Sequence, residues 1–230
     1  VWDPATDPLI PYSFDKDRLE GKARCKLELQ KRFSLEQKPG SPLFGLIGRL
    51  VDQKGIDLVI KIMEDLLSRD AQVVVLGTGE KWHEENLRRM AGRHPTSLAA
   101  FIGFDEALAH VIEAGSDFFL MPSRFEPCGL NQMISMRYGT IPIVTGVGGL
   151  RDTVTCLGEG DTPQGVRVKL PAPVQLLRAV DEACALYRED PAAFRRLQKN
   201  AMDKNVDWTQ SALQYYDMYS KMLNSRESER

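Results

Sequence analysis

Short runs of β-prone residues alternate with longer amphipathic segments along most of this chain, and no other feature constrains its fold as strongly. The first such pair is the apolar run at residues 43–47 and the segment at residues 57–69, whose apolar residues recur at helical spacing. Residues 72–76 are apolar at almost every position, as expected of a strand covered on both faces. The alternation therefore predicts the α/β class, with a single doubly wound parallel sheet flanked by helices.

The same pattern continues to the end of the chain. Further strands are predicted at residues 99–102, 118–121, 141–144 and 166–170, and further helices at residues 80–93, 106–114, 131–138, 174–187, 191–204 and 210–223. Residues 1–40 fit the alternation poorly, because they combine several prolines with a charged stretch, and they are predicted to form a linker and a leading helix. Residues 41–205 are predicted to form the sheet domain, and residues 206–230 a C-terminal helix and a polar tail.

Composition excludes several classes of protein. The 230 residues carry 30 Lys+Arg and 32 Asp+Glu, a net charge of −2, which argues against a nucleic-acid partner. No run approaches the ~18 apolar residues of a membrane span, and the first residues lack the pattern of a signal peptide. The four cysteines are widely spaced with no Cys-x-x-Cys pair, so we expect a reducing compartment and no structural zinc or other metal.

In a doubly wound sheet, ligands bind at the loops that leave the carboxyl ends of the strands. The first such loop carries Arg49 and Lys54 just before a predicted helix, which would suit a phosphate clamp, although a solvated loop is the simpler interpretation. In the second loop, Gly77 and Thr78 are small residues that could let a ligand approach the backbone. This loop lacks the full dinucleotide fingerprint, so a structural turn is its default interpretation and a dinucleotide oxidoreductase is disfavoured.

The third loop, residues 122–130, is the most informative because it joins a buried strand to a helix. Its last backbone amides are placed to face an anion or a sugar oxygen, and these amides belong to Cys128, Gly129 and Leu130. Glu126 would be a carboxylate at the rim, suited to accept hydrogen bonds from sugar hydroxyls. The alternatives are that Glu126 pairs with Arg124 or complements the helix dipole.

The fourth loop is a second glycine-rich junction between a strand and the segment that follows it. It contains Gly148, Gly149 and Leu150. Glycine at such a position most simply indicates a turn.

Taken together, the four loops resemble those of bacterial glycogen synthases and plant starch synthases in order and in spacing. The most specific match is Pro-Ser-Arg-Phe-Glu-Pro-Cys-Gly-Leu at residues 122–130. Further matches lie at residues 2–8, 44–50, 53–55, 76–79, 102–107, 137–140, 148–154 and 207–209. The resemblance covers nearly the whole chain.

Those enzymes have two Rossmann-like domains of the GT-B type, and this sequence resembles only the second. The resemblance implies that the chain is the C-terminal half of a two-domain glycosyltransferase, with an interdomain linker at its front and its N-terminal domain missing. It further implies a retaining α-1,4-glucosyltransferase that moves glucose from ADP-glucose to the non-reducing end of an α-glucan. The fragment alone is expected to be inactive, and no cofactor is expected besides the substrate ADP-glucose or the product ADP.

The resemblance also assigns roles to individual residues. Arg49 and Lys54 match the cations that bind the donor diphosphate and stabilise the departing ADP, and Glu126 matches the carboxylate that orients the donor glucose. Phe104 occupies the position of an aromatic residue that lies on the adenine. The remaining matches are Gly77 and Thr78 beside the nucleoside, Cys128, Gly129 and Leu130 near sugar and phosphate, and Gly148, Gly149 and Leu150 in the phosphate-side loop.

Three positions depart from the family pattern. Val147 and Asn131 stand where threonine is common, and Ile134 occupies the second acidic position of the broader transferase class, a departure that much of the synthase family shares.

The expected partners are an α-1,4-glucan acceptor and the missing N-terminal domain, in a bacterial cytoplasm or a plastid stroma. A non-catalytic nucleotide-sugar or glucan-binding module remains the alternative. No histidine is predicted to be catalytic, and His110 is expected to be a packed or hydrogen-bonded residue.

Overall fold

A computed structural model of the chain describes residues 2–228 and contains one parallel sheet. Its strands are β1 (Leu43–Leu50), β2 (Gln72–Gly79), β3 (Leu98–Ile102), β4 (Phe118–Met121), β5 (Ile141–Thr145) and β6 (Val166–Val168). They lie in the order β3-β2-β1-β4-β5-β6, and every adjacent pair is parallel. This is the doubly wound order, so the predicted fold class is confirmed.

Helices cover the sheet and connect its strands. They are α1 (Glu20–Arg32), α2 (Ile56–Leu67), α3 (Lys81–Arg93), α4 (Glu106–Gly115), α5 (Asn131–Arg137), α6 (Gly148–Thr153), α7 (Pro173–Glu189), α8 (Pro191–Asp203) and α9 (Trp208–Ser228). A short 3-10 helix, Asp52–Lys54, lies between β1 and α2. Among the described residues, no helix has both the length and the apolar character needed to cross a membrane.

Strand β2 shows why the apolar runs of the sequence form the centre of the sheet. Side chains alternate between the two faces of a strand. Val73 and Val75 enter the large apolar cluster on one face, which also contains residues of α2 and α7. Val74 and Leu76 enter the cluster on the other face, together with residues of α1 and α4. Both faces are therefore covered, which accounts for the continuous apolar run.

Two strands extend beyond their predicted ends. β1 continues to Leu50 and β2 to Gly79, and the two remain paired with Arg49 opposite Thr78. These two residues, predicted to lie in loops, are therefore strand residues. At the other end of the chain, α9 runs through Ser228, past residue 223 where the sequence predicted a polar tail; residues 229–230 of that predicted tail lie outside the described residues.

The segment at residues 2–19 packs against the sheet domain. Ile10, Phe14 and Leu19 are buried in a third apolar cluster with Tyr138. The Asp7 carboxylate lies 2.7 Å from Nδ1 of His110 and accepts a hydrogen bond from the Tyr138 hydroxyl. Burial would raise the pKa of Asp7, but these two contacts hold it below its ordinary value. His110 is therefore packed and hydrogen-bonded, as the sequence predicts.

Candidate functional site

The candidate site lies where the winding of the sheet reverses. β1 pairs with β2 on one side and with β4 on the other, so the connections from the carboxyl ends of β1 and β4 leave in opposite directions. Such a switch point opens a crevice in which doubly wound proteins bind their ligands. The two connections are residues 51–55 after β1 and residues 122–130 after β4.

The two connections touch each other through an ion pair and a tight backbone contact. Lys54 Nζ donates to Oε2 of Glu126, whose side chain is 8% exposed. Gly55 follows with a φ of 73°, and a Cβ at this position would lie 2.2 Å from the Pro122 carbonyl oxygen. Only glycine allows both that φ and that approach. The fold thus brings a predicted cation and a predicted carboxylate together at the switch point.

Arg124 has a different partner from the one considered in the sequence. Its guanidinium donates to both carboxylate oxygens of Asp57, over 2.6 and 2.9 Å, and to the carbonyl oxygen of Asp52. The hypothesis that Arg124 pairs with Glu126 is therefore wrong, because Asp57 at the start of α2 provides bidentate geometry. Burial raises the pKa of Asp57, but the hydrogen bonds from Arg124 and Lys61 outweigh it and lower the pKa to about 2.

This pair predicts a specific loss of stability in acid. Because the pKa of Asp57 is lower in the folded chain than its ordinary 3.8, the ionised carboxylate stabilises the fold above pH ~4 and this contribution is lost towards pH ~2. Between these pH values the free energy of unfolding of the wild type should fall about 1–2 kcal/mol further than that of Asp57→Asn, after allowance for screening at the partly exposed Arg124. Urea titrations across this pH range measure the difference, and parallel curves would contradict it.

Arg49 lies near the end of β1 with an exposed side chain. Its guanidinium donates a hydrogen bond to Oε1 of Gln53 over 3.3 Å. Arg49 and Lys54 both line a narrow depression over β1 and β4, together with Asn131. Asn131 in turn donates to the Ile47 carbonyl oxygen over 2.8 Å, which ties the start of α5 to β1. Two cations therefore face one depression at the switch point.

A larger cleft of about 460 Å³ adjoins this depression and shares Arg49 with it. Of the predicted site residues, the cleft is lined by Arg49, Gly77, Thr78 and Phe104. Its volume lies in the range of about 300–1,000 Å³ that is usual for small-molecule sites. Phe104 is 90% exposed at the rim, so a face of its ring is available to a planar ligand.

The end of β2 is more constrained than its sequence indicates. The Thr78 hydroxyl donates to Oε1 of Glu84 over 2.7 Å, and the Gly79 amide donates to the same oxygen over 2.9 Å. Both hydrogen bonds lower the pKa of Glu84, and the one from the Gly79 amide has the larger effect. A Cβ at Gly77 would lie 2.0 Å from the Gly48 carbonyl oxygen. Gly77 thus permits close contact between strand ends, and the Thr78 hydroxyl has an internal partner.

The second glycine-rich segment forms the first turn of α6, and it supports the third loop. The Gly149 amide donates to the Glu126 carbonyl oxygen over 3.0 Å. A Cβ at Gly148 would lie 2.1 Å from the same oxygen, and a Cβ at Gly149 would lie 1.9 Å from the Cys128 carbonyl oxygen. Both glycines are therefore required by contact with the backbone of the third loop.

The predicted role of Leu150 as a substrate-binding residue stays a prediction. Its side chain is fully buried in the apolar core, and its amide donates to the Val147 carbonyl oxygen. Neither the cleft nor the depression is lined by Glu126, Cys128, Gly129, Leu130, Gly148, Gly149 or Leu150. The exposed side chains of Cys128 and Leu130 lie on the third loop, and their contact with a substrate stays a prediction.

Three residues of this region were not predicted from the sequence. Glu113 lines the cleft although it is only 1% exposed; burial raises its pKa to about 8, while a hydrogen bond from Ser135 opposes that shift. Trp2 lines the cleft from the N-terminal segment. Gln132 is fully buried and donates to the carbonyl oxygens of Cys128 and Gly129, which holds the third loop. No pattern in the sequence distinguishes these residues from ordinary core positions.

Comparison with known proteins places this geometry among glycosyl transferases. Residues 28–201 match the family model described as glycosyl transferases group 1. The chain is 47% identical over 232 residues to a glycogen synthase of Paracidovorax citrulli, covering 99% of this chain and 45% of that protein. It is 48% identical over 226 residues to a glycogen synthase of Anaeromyxobacter dehalogenans, covering 98% of this chain and 47% of that protein.

A solved structure has the same fold. The catalytic domain of starch synthase IV from Arabidopsis thaliana, bound to ADP and acarbose, superposes with a TM-score of 0.88 at 34% identity, over 96% of this chain and 46% of that one. The chain thus spans about half the length of the relatives that it matches.

Proposed function

The chain belongs to the glycosyl transferases group 1 family, and from this membership we propose that it is the donor-binding domain of a retaining α-1,4-glucosyltransferase of the glycogen or starch synthase type. The reaction would transfer glucose from ADP-glucose to the non-reducing end of an α-glucan. The bacterial glycogen synthases and the plant starch synthase among its relatives support this substrate class. They also support a bacterial cytoplasm or a plastid stroma as its location.

The observation that carries the proposal is the convergence of Arg49, Lys54 and Glu126 at the switch point of the sheet. When the bond between glucose and diphosphate breaks, negative charge develops on the departing ADP. Fixed cations stabilise such charge without having to reorganise during the reaction. Arg49 offers an exposed guanidinium that can form bidentate bonds to a phosphate.

Lys54 would act together with Glu126. Glu126 holds the ammonium group of Lys54 in place, so the position of this cation does not depend on the donor. An ammonium group has three donors, so Lys54 can contact a phosphate oxygen and keep its bond to Glu126. The second oxygen of Glu126 would then accept a hydrogen bond from a hydroxyl of the donor glucose.

The neighbouring cleft would hold the nucleoside. Phe104 stands at its rim with a free aromatic face, and Gly77 and Thr78 form part of its wall. A purine base stacked on Phe104 would place the attached diphosphate towards Arg49, which borders both the cleft and the depression.

The adenine contact predicts that Phe104→Ala weakens ADP binding without a cost in stability. Loss of a base–aromatic stack costs about 1–3 kcal/mol, so the dissociation constant for ADP should rise roughly 5- to 100-fold. Calorimetry with ADP measures the change, and Phe104→Tyr should retain wild-type affinity. Phe101→Ala provides the control, because Phe101 is a partly exposed aromatic residue that does not line the cleft. If the wild type and the three variants all bound ADP with equal affinity, Phe104 would not contact the adenine.

A second domain and the α-1,4-glucan acceptor complete the proposal. Helix α9 exposes large apolar side chains, among them Trp208, Leu213 and Tyr216. Exposed apolar patches of this kind indicate a surface that another domain covers. We propose that this domain is the remainder of the longer protein and that the glucan binds between the two.

Two measurements test the function. Calorimetry should show that the chain binds ADP more tightly than UDP. A glucose-incorporation assay with glycogen should show little or no transfer by the chain alone and robust transfer once an N-terminal domain from a relative is joined to it. Binding without any transfer in the joined protein would favour a non-catalytic module, whereas absence of ADP binding would refute the donor site. Robust transfer by the chain alone would refute the need for a second domain.

A further inference from the structure

A second cluster of polar side chains lies beside the donor cleft and has no part in the function proposed above. Asp52 begins the short 3-10 helix after β1, Glu80 immediately precedes α3, and His83 lies in the first turn of α3. One carboxylate oxygen of each acid and one ring nitrogen of the histidine lie within 4.8 Å of one another. The cluster thus joins the connection after β1 to the connection after β2.

His83 is the unusual member of this cluster. Its residue surface is 1% exposed, yet neither ring nitrogen has a hydrogen-bond partner among the described residues. Nε2 lies 3.1 Å from Oδ1 of Asp52 and 3.5 Å from Oε2 of Glu80, close enough for an ion pair, but no aligned hydrogen bond is formed. Buried polar atoms are almost always paired, so this imidazole requires an explanation.

The distances within the cluster correspond to the edges of a metal coordination sphere. Bonds of about 2.0–2.2 Å from a metal to nitrogen and oxygen ligands, at angles between 90° and 109°, place neighbouring ligand atoms about 2.8–3.6 Å apart. The two distances from His83 Nε2, 3.1 and 3.5 Å, lie within this range. The carboxylates of Asp52 and Glu80 are mostly exposed, so they can rotate to complete the third edge.

The donor set indicates the kind of cation. Imidazole nitrogen favours transition metals over Mg²⁺ or Ca²⁺, and two carboxylates offset the charge of a divalent ion. A single buried histidine also fixes the direction of one bond, while the exposed carboxylates leave the ion a path from solvent.

We propose that Asp52, Glu80 and His83 bind one divalent transition-metal cation, with Zn²⁺ as the best fit. Three protein ligands leave a fourth position for water. The ion would tie the turn that contains Lys54 to the end of β2 that contains Thr78, and so hold two walls of the donor region at a fixed separation. Metal binding by these three residues does not depend on the proposed transferase function, and the two can be tested separately.

The test is titration of the chelator-treated chain with Zn²⁺, followed by calorimetry and by thermal unfolding. We expect one equivalent to bind and to raise Tm. Glu80→Gln, at an exposed ligand, should weaken binding by at least the roughly 10- to 100-fold that loss of even an outer-shell partner costs. His83→Gln should abolish binding. His94→Gln is the matched control, because His94 also lies beside a glutamate, Glu64, but outside the cluster, and it should bind as the wild type does.

Cobalt provides a second readout that is independent of stability. Co²⁺ bound at this site should give a spectrum of nitrogen and oxygen ligation without thiolate charge-transfer bands, and Zn²⁺ should displace it. If His83→Gln fails to fold, Glu80→Gln and Asp52→Asn still decide the matter. The proposal would be overturned if the wild type bound no stoichiometric metal, if thiolate bands appeared, or if Glu80→Gln and Asp52→Asn kept wild-type affinity.

Discussion

Replacing Lys54 by alanine should weaken ADP binding about 10- to 100-fold, because a hydrogen bond to a charged group contributes about 1.5–3 kcal/mol. The same change removes the partner of Glu126, whose side chain is 8% exposed. The free energy of unfolding should therefore fall by about 1–3 kcal/mol. This is less than the roughly 3–5 kcal/mol of a fully buried pair, because Lys54 is partly exposed. Calorimetry with ADP and urea unfolding measure the two effects.

Two further variants separate the loss of the ligand contact from the loss of the ion pair. The double variant Lys54→Ala/Glu126→Gln should regain most of the stability, since no unpaired charge remains, but it should not regain ADP affinity. Arg49→Ala should lose ADP affinity without loss of stability, because this side chain is exposed. If Lys54→Ala, the double variant and Arg49→Ala all bind ADP as the wild type does, neither cation contacts the diphosphate. If only the single variant Lys54→Ala binds poorly, its defect is structural.

Replacing Gly149 by alanine should destabilise the fold by about 2–4 kcal/mol. The added Cβ would lie 1.9 Å from the Cys128 carbonyl oxygen and 2.5 Å from the carbonyl carbon, and backbone atoms cannot move aside as a flexible side chain can. The change should also displace the third loop, since the Gly149 amide holds the Glu126 carbonyl oxygen. Chemical unfolding measures the loss, and ADP affinity should fall with it.

Gly146→Ala provides a control from the same segment. The nearest atoms to a Cβ at Gly146 are those of the Arg167 side chain, from 3.7 Å outwards, which is ordinary contact. Its stability should remain within about 0.5 kcal/mol of the wild type. Equal stability of the Gly149 and Gly146 variants would show that α6 and the third loop can separate without cost.

The sheet could be predicted because the burial of its strands and helices determines where apolar residues occur in the sequence. Strand β2 is covered on both faces, so it reads as an uninterrupted apolar run, and the helices that cover it carry their apolar residues at helical spacing. The ends of the strands are not marked by any such pattern of apolar residues. Arg49 and Thr78 resemble loop residues, but backbone hydrogen bonds continue between β1 and β2 whatever the side chains are. Glycines likewise indicated a loop at α6, where contact with the third loop favours a helical turn instead.

Within the site, contacts between distant residues were the hardest to predict. Arg124 was considered as a partner for Glu126 because the two are neighbours in the chain, whereas the observed partner, Lys54, lies 72 positions away. The resemblance to glycogen and starch synthases identified both residues but not their contact. Asp52, Glu80 and His83 were not grouped at all, because no metal-binding spacing in the sequence links them.

The N-terminal segment has a consequence for how the cleft is assembled. Trp2 lines the cleft and stacks on His110 at 3.5 Å, and Asp7 contacts His110 and Tyr138 across 103 and 131 positions of the chain. Contacts of such separation close long loops, whose entropic cost must be met before the contact stabilises the chain, so they tend to form late in folding. We therefore expect the sheet and the loops at its carboxyl edge to form first and the wall of the cleft at Trp2 to close last.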